Sequence, residues 1–341
     1  MTTVNPSNLP IPIFLKSYFP MTGEKLITKL MPSFAALNKG QIDRIRQKPP
    51  DPRYSFATAQ LRSVHNRNRY MDIIPFESSR VHLVATMVRS KASPTASYIN
   101  ASHIVLKQRG ISRKYIASQG PLDSTCGDFW LMVLEQRCRV IVCLTRVEEG
   151  GMSKCARYWP EVEGQELLFQ TTEGGVRIRV RCTAPMKLNE RADCEVRTIR
   201  VERVDLPDQE GGFEVTQLCF FGWPDHAVPE RPGHVLELIR VMRETEKSYQ
   251  VEGEIGPTVV HCSAGCGRTG TFCTIDAAWA MLEAKAATWK DEEDDGRDWV
   301  YEIVNALREQ RVTMVQAVPQ YMFCCNALWE LVGGEARVGS V

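Results

Sequence analysis

A buried strand that runs into a glycine-rich loop and out through a helix leaves a chain few folds to choose from. Residues Thr258 to Gly270 form such a stretch. Thr258, Val259 and Val260 read as the strand. The loop follows as His261-Cys262-Ser263-Ala264-Gly265-Cys266-Gly267-Arg268-Thr269-Gly270, and a helix is predicted from Thr271 to Ala287. Gly265 and Gly267 permit the dihedral angles that a tight curl needs. In such a curl the amides of Ser263, Ala264, Gly265, Cys266 and Gly267 point at one spot, and the start of a helix adds to their field. Arg268 supplies a planar fork suited to two oxygens of a phosphate. A thiol at that focus, Cys262, is expected to ionise well below its ordinary value of about 8.5. The loop therefore reads as a nucleophile facing a bound phosphoryl group. No lysine follows the glycines, so it is not a nucleotide-binding P-loop.

The rest of the composition narrows the setting. Net charge over the 341 residues is +1, so attraction for phosphate must be local, and no nucleic-acid partner is expected. No stretch is apolar and long enough to insert in a bilayer, and no secretory leader is evident. Of twelve cysteines, Cys143, Cys219, Cys273, Cys324 and Cys325 sit in apolar runs, as reduced residues of a cytoplasmic or nuclear protein would. Cys262, Cys266 and Cys273 lack the paired spacing of a zinc site, so neither metal nor cofactor is expected.

His261-Cys262 through Arg268-Thr269-Gly270 resembles the signature loop of the cysteine-dependent protein tyrosine phosphatases, in the soluble, non-receptor form. Trp223-Pro224-Asp225 resembles that family's mobile acid loop, and Asn66-Arg67-Asn68-Arg69-Tyr70-Met71-Asp72 resembles its substrate-pocket wall. The resemblance covers most of Ser63 to Val332 and implies an α/β fold: one domain with a central, highly twisted mixed β-sheet flanked by helices. It assigns Cys262 as nucleophile, Arg268 as phosphate holder, and Asp225 as general acid, then base. Gln316 positions water, with Gln320 as the second glutamine of that loop, and Thr269 supports the departing thiolate. Tyr70 is the aromatic wall whose depth selects phosphotyrosine-containing proteins, and Asp72 anchors peptide main chain. Glu149 orients Arg268, Lys154 contacts the acid loop, Trp223 stiffens that loop, and His261 supports the signature loop. Two positions depart from the pattern. Cys266 is often aliphatic in the family, and is either a small apolar filler or a thiol able to resolve oxidised Cys262. Met71 stands where some relatives carry a basic residue, so no preference for acidic peptides follows.

Along the chain, residues 1–60 read as an extension: a proline-broken arm, then a helix from Ser33 to Gln47 with Phe34, Leu37, Ile42 and Ile45 inward. The catalytic domain is expected over residues 61–333, with a frayed end at 334–341. Val140 to Leu144 reads as a strand covered on both faces. Val176, Ile178 and Val180 alternate with Arg177, Arg179 and Arg181, as in a sheet with one wet face. The acidic run at 290–298 reads as a solvated loop. A phosphotyrosine-binding module, a scaffold protein and a dual-specificity or lipid phosphatase are the rival readings. The first two have no need of Cys262, Asp225 and Arg268 together; the third lacks the Tyr70 wall.

Overall fold

The computed structural model describes residues 9–19, 21, 23–89, 95–204, 212–224, 227–286, 289 and 294–334. Its centre is a mixed sheet. Three apolar strands form the parallel middle with the end of a fourth: β3 (Ile111–Ser118), β4 (Val140–Cys143), β11 (Phe213–Phe220) and β12 (Thr258–His261), in the order β3-β12-β4-β11. All four residues of β4 and all four of β12 are buried, as continuous apolar runs between two helical layers must be. On one side β3 pairs antiparallel with β2 (Tyr98–Gln108), which carries β1 (Arg80–His82). On the other, β11 leads antiparallel through β10 (Cys194–Arg203) and β8 (Arg177–Cys182) to β7 (Glu166–Gln170), with β9 (Lys187–Asn189) on β10. The alternation in β8 appears as expected. Ile178 and Val180 are buried, while Arg179 and Arg181 are solvated beside Glu166 and Glu202.

Helices α4 (Cys126–Glu135), α5 (Pro232–Glu252), α6 (Gly267–Ala286), α7 (Trp299–Arg308) and α8 (Val318–Leu331) cover the sheet. Helix α6 begins four residues before the expected Thr271, so Arg268 lies in its first turn. It is buried nearly all round, which explains why it shows little amphipathic pattern.

The extension departs most from expectation. A short helix α1 (Ile13–Tyr18) forms within the proline-rich arm, and α2 runs from Gly23 to Arg46, ten residues longer at its start than the sequence suggested. Pro32 lies inside α2 on the exposed side, so the hydrogen bond it removes faces water. The buried stripe is Leu26, Leu30, Phe34 and Leu37; Ile42 and Ile45 point outward. Phe34 packs on Tyr321, Phe14 on Trp299, and Phe19 stacks on Trp329 at 4.2 Å. The acidic run is also less solvated than expected at its described end. Asp298 caps α7 through Tyr301 N and accepts from the hydroxyls of Tyr18 (2.7 Å) and Tyr321 (2.8 Å). Residues 290–293 and 335–341 lie outside the described residues.

Candidate active site

The parallel strands β4, β11 and β12 end together, and the loops leaving them build one site. β12 delivers His261 and Cys262 beneath the start of α6. The amide of Gly265 donates to Cys262 Sγ at 3.2 Å, and the thiol is almost wholly enclosed. Gly265 is required twice. Its φ is +71°, and a Cβ there would fall 2.0 Å from the Ser118 carbonyl oxygen. His261 is fully buried, with Nε2 sharing a 2.6 Å hydrogen bond with Tyr158 and Nδ1 lying 3.3 Å from Cys262 O. These contacts fix the strand end from which the thiol projects.

Arg268 meets Glu149 edge to edge. Nη1 reaches Oε1 and Nη2 reaches Oε2, each at 2.7 Å. Nη1 also donates to Leu144 O (3.1 Å) and Nη2 to Pro224 O (3.4 Å). Glu149 stands on the hairpin of β5 (Glu148–Glu149) and β6 (Met152–Ser153), and accepts further from Thr145 Oγ1 and Arg146 N. Burial disfavours its charge, but the Arg268 and Arg146 donors outweigh this and hold its carboxyl below the usual carboxylate value.

The Tyr70 segment closes one side, with Tyr70 Oη 2.9 Å from Ser263 Oγ. Arg69 secures it, donating to Gly120 O, Pro121 O and Ser153 O, while its amide donates to Gln119 Oε1. Asn68 Oδ1 accepts from Tyr98 Oη and Asn100 Nδ2, which ties the Tyr70 segment to β2. Asp72 and Met71 are exposed at the rim. Gln316 and Gln320 approach from the other side: a Cβ on Gly267 would come within 3.3 Å of both side chains. Gln320 Oε1 accepts from the amides of Gln316 and Ala317, so it holds the turn that presents Gln316. Trp223 is buried against Phe220 and Phe323, with Nε1 donating to Ala227 O at 3.1 Å. Asp225, the expected acid, lies outside the described residues, as does any contact of Lys154 with it; Lys154 itself is buried. Thr269 is fully buried in the first turn of α6. Cys266 is also fully buried; burial, with Cys262 beside it, pushes its thiol up to about 12.

Two arginines that sequence reasoning passed over prove central. Arg311 is completely buried, and among the described residues no carboxylate pairs with it. It donates to Gly265 O (2.7 Å), Ala264 O (3.0 Å), Asn100 Oδ1 (2.8 Å) and Ser102 Oγ (3.2 Å). It gathers the loop's carbonyls on the far side from the thiol. Arg308 does the same for the next turn, donating to Met314 O and Val315 O and to Asn38 of α2. Thr313 and Val315 are β-branched residues at φ +61° and +56°, a strained backbone that these bonds and Val315 N–Cys266 O hold in place.

A sequence model of the family described as "Protein-tyrosine phosphatase" matches residues 64–330, and the chain belongs to that family. It is 32% identical over 89% of its length to Tyrosine-protein phosphatase 1 of Caenorhabditis elegans, covering 27% of that protein. It is 41% identical over 78% of its length to Receptor-type tyrosine-protein phosphatase C of Homo sapiens, covering 18% of it. For Tyrosine-protein phosphatase non-receptor type 9 of Rattus norvegicus the figures are 35%, 80% and 43%. The chain thus spans under half of each of these relatives, which include receptor and non-receptor types. Among the described residues no helix is long and apolar enough to cross a membrane.

Proposed function

We propose that residues 61–333 are a catalytic domain that hydrolyses phosphotyrosine in proteins through a cysteinyl-phosphate intermediate. The carrying observation is the cradle itself: the Gly265 amide turned onto Cys262 Sγ, beside an arginine gripped at 2.7 Å by Glu149. Cys262 attacks phosphorus, and the S–P bond forms as the P–O bond to tyrosine breaks. The loop amides and Arg268 stabilise charge on the three remaining oxygens as it develops, usually the largest catalytic contribution. Asp225 protonates the leaving tyrosine oxygen. In the second step Gln316 places a water, Asp225 takes its proton, and phosphate leaves Cys262 as a thiolate beside Thr269. Tyr70, held at Ser263, sets the depth that lets an aryl phosphate reach the thiol. Cys266 serves here as a filler. Its burial behind the loop and raised pKa suit a packing role better than that of an attacking thiol. A soluble protein acting in the cytoplasm accords with the likeness to a relative named as non-receptor.

The test is phosphate release from phosphotyrosine, phosphoserine and phosphothreonine peptides in EDTA and reductant, with Cys262→Ser as control. Tyrosine-only release that vanishes in the control is expected. Well-folded protein that binds the phosphotyrosine peptide without releasing phosphate would replace the enzyme by a binding module.

A further inference from the structure

Helix α2 lies outside the stretch that the family model matches, yet its inward stripe does not stop where its apolar residues stop. Leu26, Leu30, Phe34 and Leu37 are followed at helical spacing by Asn38, Gln41 and Arg44, so the same face continues in polar residues. Two of these meet the turn that presents Gln316. Gln41 Oε1 accepts from the Thr313 amide at 2.7 Å. Asn38 Oδ1 accepts from Arg308 Nη1 at 2.8 Å, and the Arg308 guanidinium lies 5.3 Å from the Phe34 ring. Arg308 in turn holds the carbonyls of Met314 (2.9 Å) and Val315 (2.7 Å). The turn needs such holding. Thr313 and Val315 are β-branched residues at positive φ, and such a backbone persists only where its surroundings over-determine it. Val315 N also donates to Cys266 O at 3.2 Å, and a Cβ on Gly270 would fall 2.4 Å from Val315 N, so the turn is pressed onto the start of α6. Gln316 follows at once, its Oε1 3.3 Å from where a Gly267 Cβ would stand.

We propose that Gln41, with Asn38 beside it, is a positioning residue for the second chemical step: the extension fixes the strained turn, and through it the aim of Gln316 at the attacking water. The inference rests on the phosphatase reading above. In that step the bond from the water oxygen to phosphorus forms as the S–P bond breaks. The electron pair returns to Cys262 and the water proton passes to Asp225. Gln316 has no part in the first step, in which the phenol leaves. Loosening the turn at Thr313 therefore slows hydrolysis of the cysteinyl phosphate and spares its formation. Catalysis then draws on a residue that precedes the catalytic domain in the chain.

The test uses the full chain and p-nitrophenyl phosphate, read by stopped flow and by acid quench of the phosphoenzyme. Gln41 is half-buried and Asn38 exposed, so both positions tolerate substitution. Gln41→Met keeps length and helix propensity but removes the acceptor. Phosphoenzyme hydrolysis should slow about fivefold to tenfold, the rate equivalent of one hydrogen bond to a positioned group. A burst of p-nitrophenolate should appear, with more phosphoenzyme trapped by acid. kcat and KM should fall together at constant kcat/KM, because that ratio reports only the steps up to departure of the phenol. Gln41→Glu, which keeps an oxygen at the Thr313 amide, should restore the wild-type values. Asn38→Ala should act in the same direction more weakly, since Arg308 keeps both its carbonyls. A residue that merely supported the fold would lower kcat/KM as much as kcat, or lower the melting temperature with no phosphoenzyme accumulating. Either result, or unchanged hydrolysis in Gln41→Met, overturns the proposal. Wild-type protein that releases no p-nitrophenolate overturns the phosphatase reading itself, so the two failures are told apart.

Discussion

Replacing Glu149 by glutamine changes one oxygen to an NH₂ group and almost nothing in volume, which makes it a sharp probe of the arginine's aim. Among the described residues Glu149 Oε1 accepts from three donors, Thr145 Oγ1, Arg146 N and Arg268 Nη1, whereas Oε2 accepts from Arg268 Nη2 alone. The glutamine oxygen will keep the three-donor place, leaving its NH₂ against Nη2, donor facing donor. One charge-assisted bond is lost, about 1.5–3 kcal/mol, and a nearly buried guanidinium loses its counter-charge. Breaking buried pairs costs about 3–5 kcal/mol, and the hairpin's exposed rim places this case near the lower end. If the arginine turns away from the phosphoryl oxygens, kcat for an aryl phosphate should fall about 10²–10³-fold, the scale of losing one preorganised donor, with KM less affected. Steady-state kinetics, with Arg268→Lys and the double variant completing a cycle, checks this: the double variant should be barely worse than Arg268→Lys alone. Glu149's folded pKa is depressed, so its contribution to stability is present above the unfolded value of about 4.3 and is lost as pH falls through the folded one. The acid limb of a melting-temperature profile should flatten in the variant. A kcat/KM within about threefold of wild type, or full additivity in the cycle, would refute the reasoning.

Gly265→Ala should cost at least about 2 kcal/mol in denaturant unfolding and remove most activity, since it combines a left-handed backbone with a Cβ 2.0 Å from Ser118 O. Arg311→Lys, which cannot reach four acceptors at once, should lower kcat while leaving a folded protein; wild-type kcat would show that Arg311 does not hold the loop. Asp298→Ala should destabilise by about 2–4 kcal/mol, a cap worth about 1 plus two stranded phenol hydroxyls, and hasten proteolysis within residues 9–46; an unchanged cleavage pattern would show that Asp298 does not anchor the extension through Tyr18. Burial, against the opposing Thr172 hydrogen bonds, raises the Asp128 carboxyl from 3.8 to about 6, so the folded state binds the proton more tightly. Stability should therefore decline by about 2 kcal/mol as pH rises from 4 to 6, and Asp128→Asn should remove that part of the slope.

What was legible in the sequence was what chemistry restricts to few residue types. A phosphate cradle needs a nucleophile, glycines and an arginine in a fixed order, so Cys262, Gly265 and Arg268 could be read directly. Glu149, Tyr70 and Gln316 followed through the resemblance, and each lies against that cradle. The strand core was legible because runs such as Val140–Cys143 have no wet face. The first ten residues of helix α2 were not, because Pro32 reads as a stop unless its exposed position is known. Arg311 was hidden for a deeper reason. In Glu309-Gln310-Arg311 it looks like the solvated end of a helix, and its partners lie more than 40 residues away in sequence. Yet the loop cannot turn its amides toward an anion without turning carbonyls the other way, into the core, where they need donors. Arg311 supplies those donors with a charge of the same sign as Arg268, and burial lowers its affinity for its own proton. The cradle is thus two-sided: a cation behind the loop satisfies its carbonyls and adds to the positive field that the amides present in front.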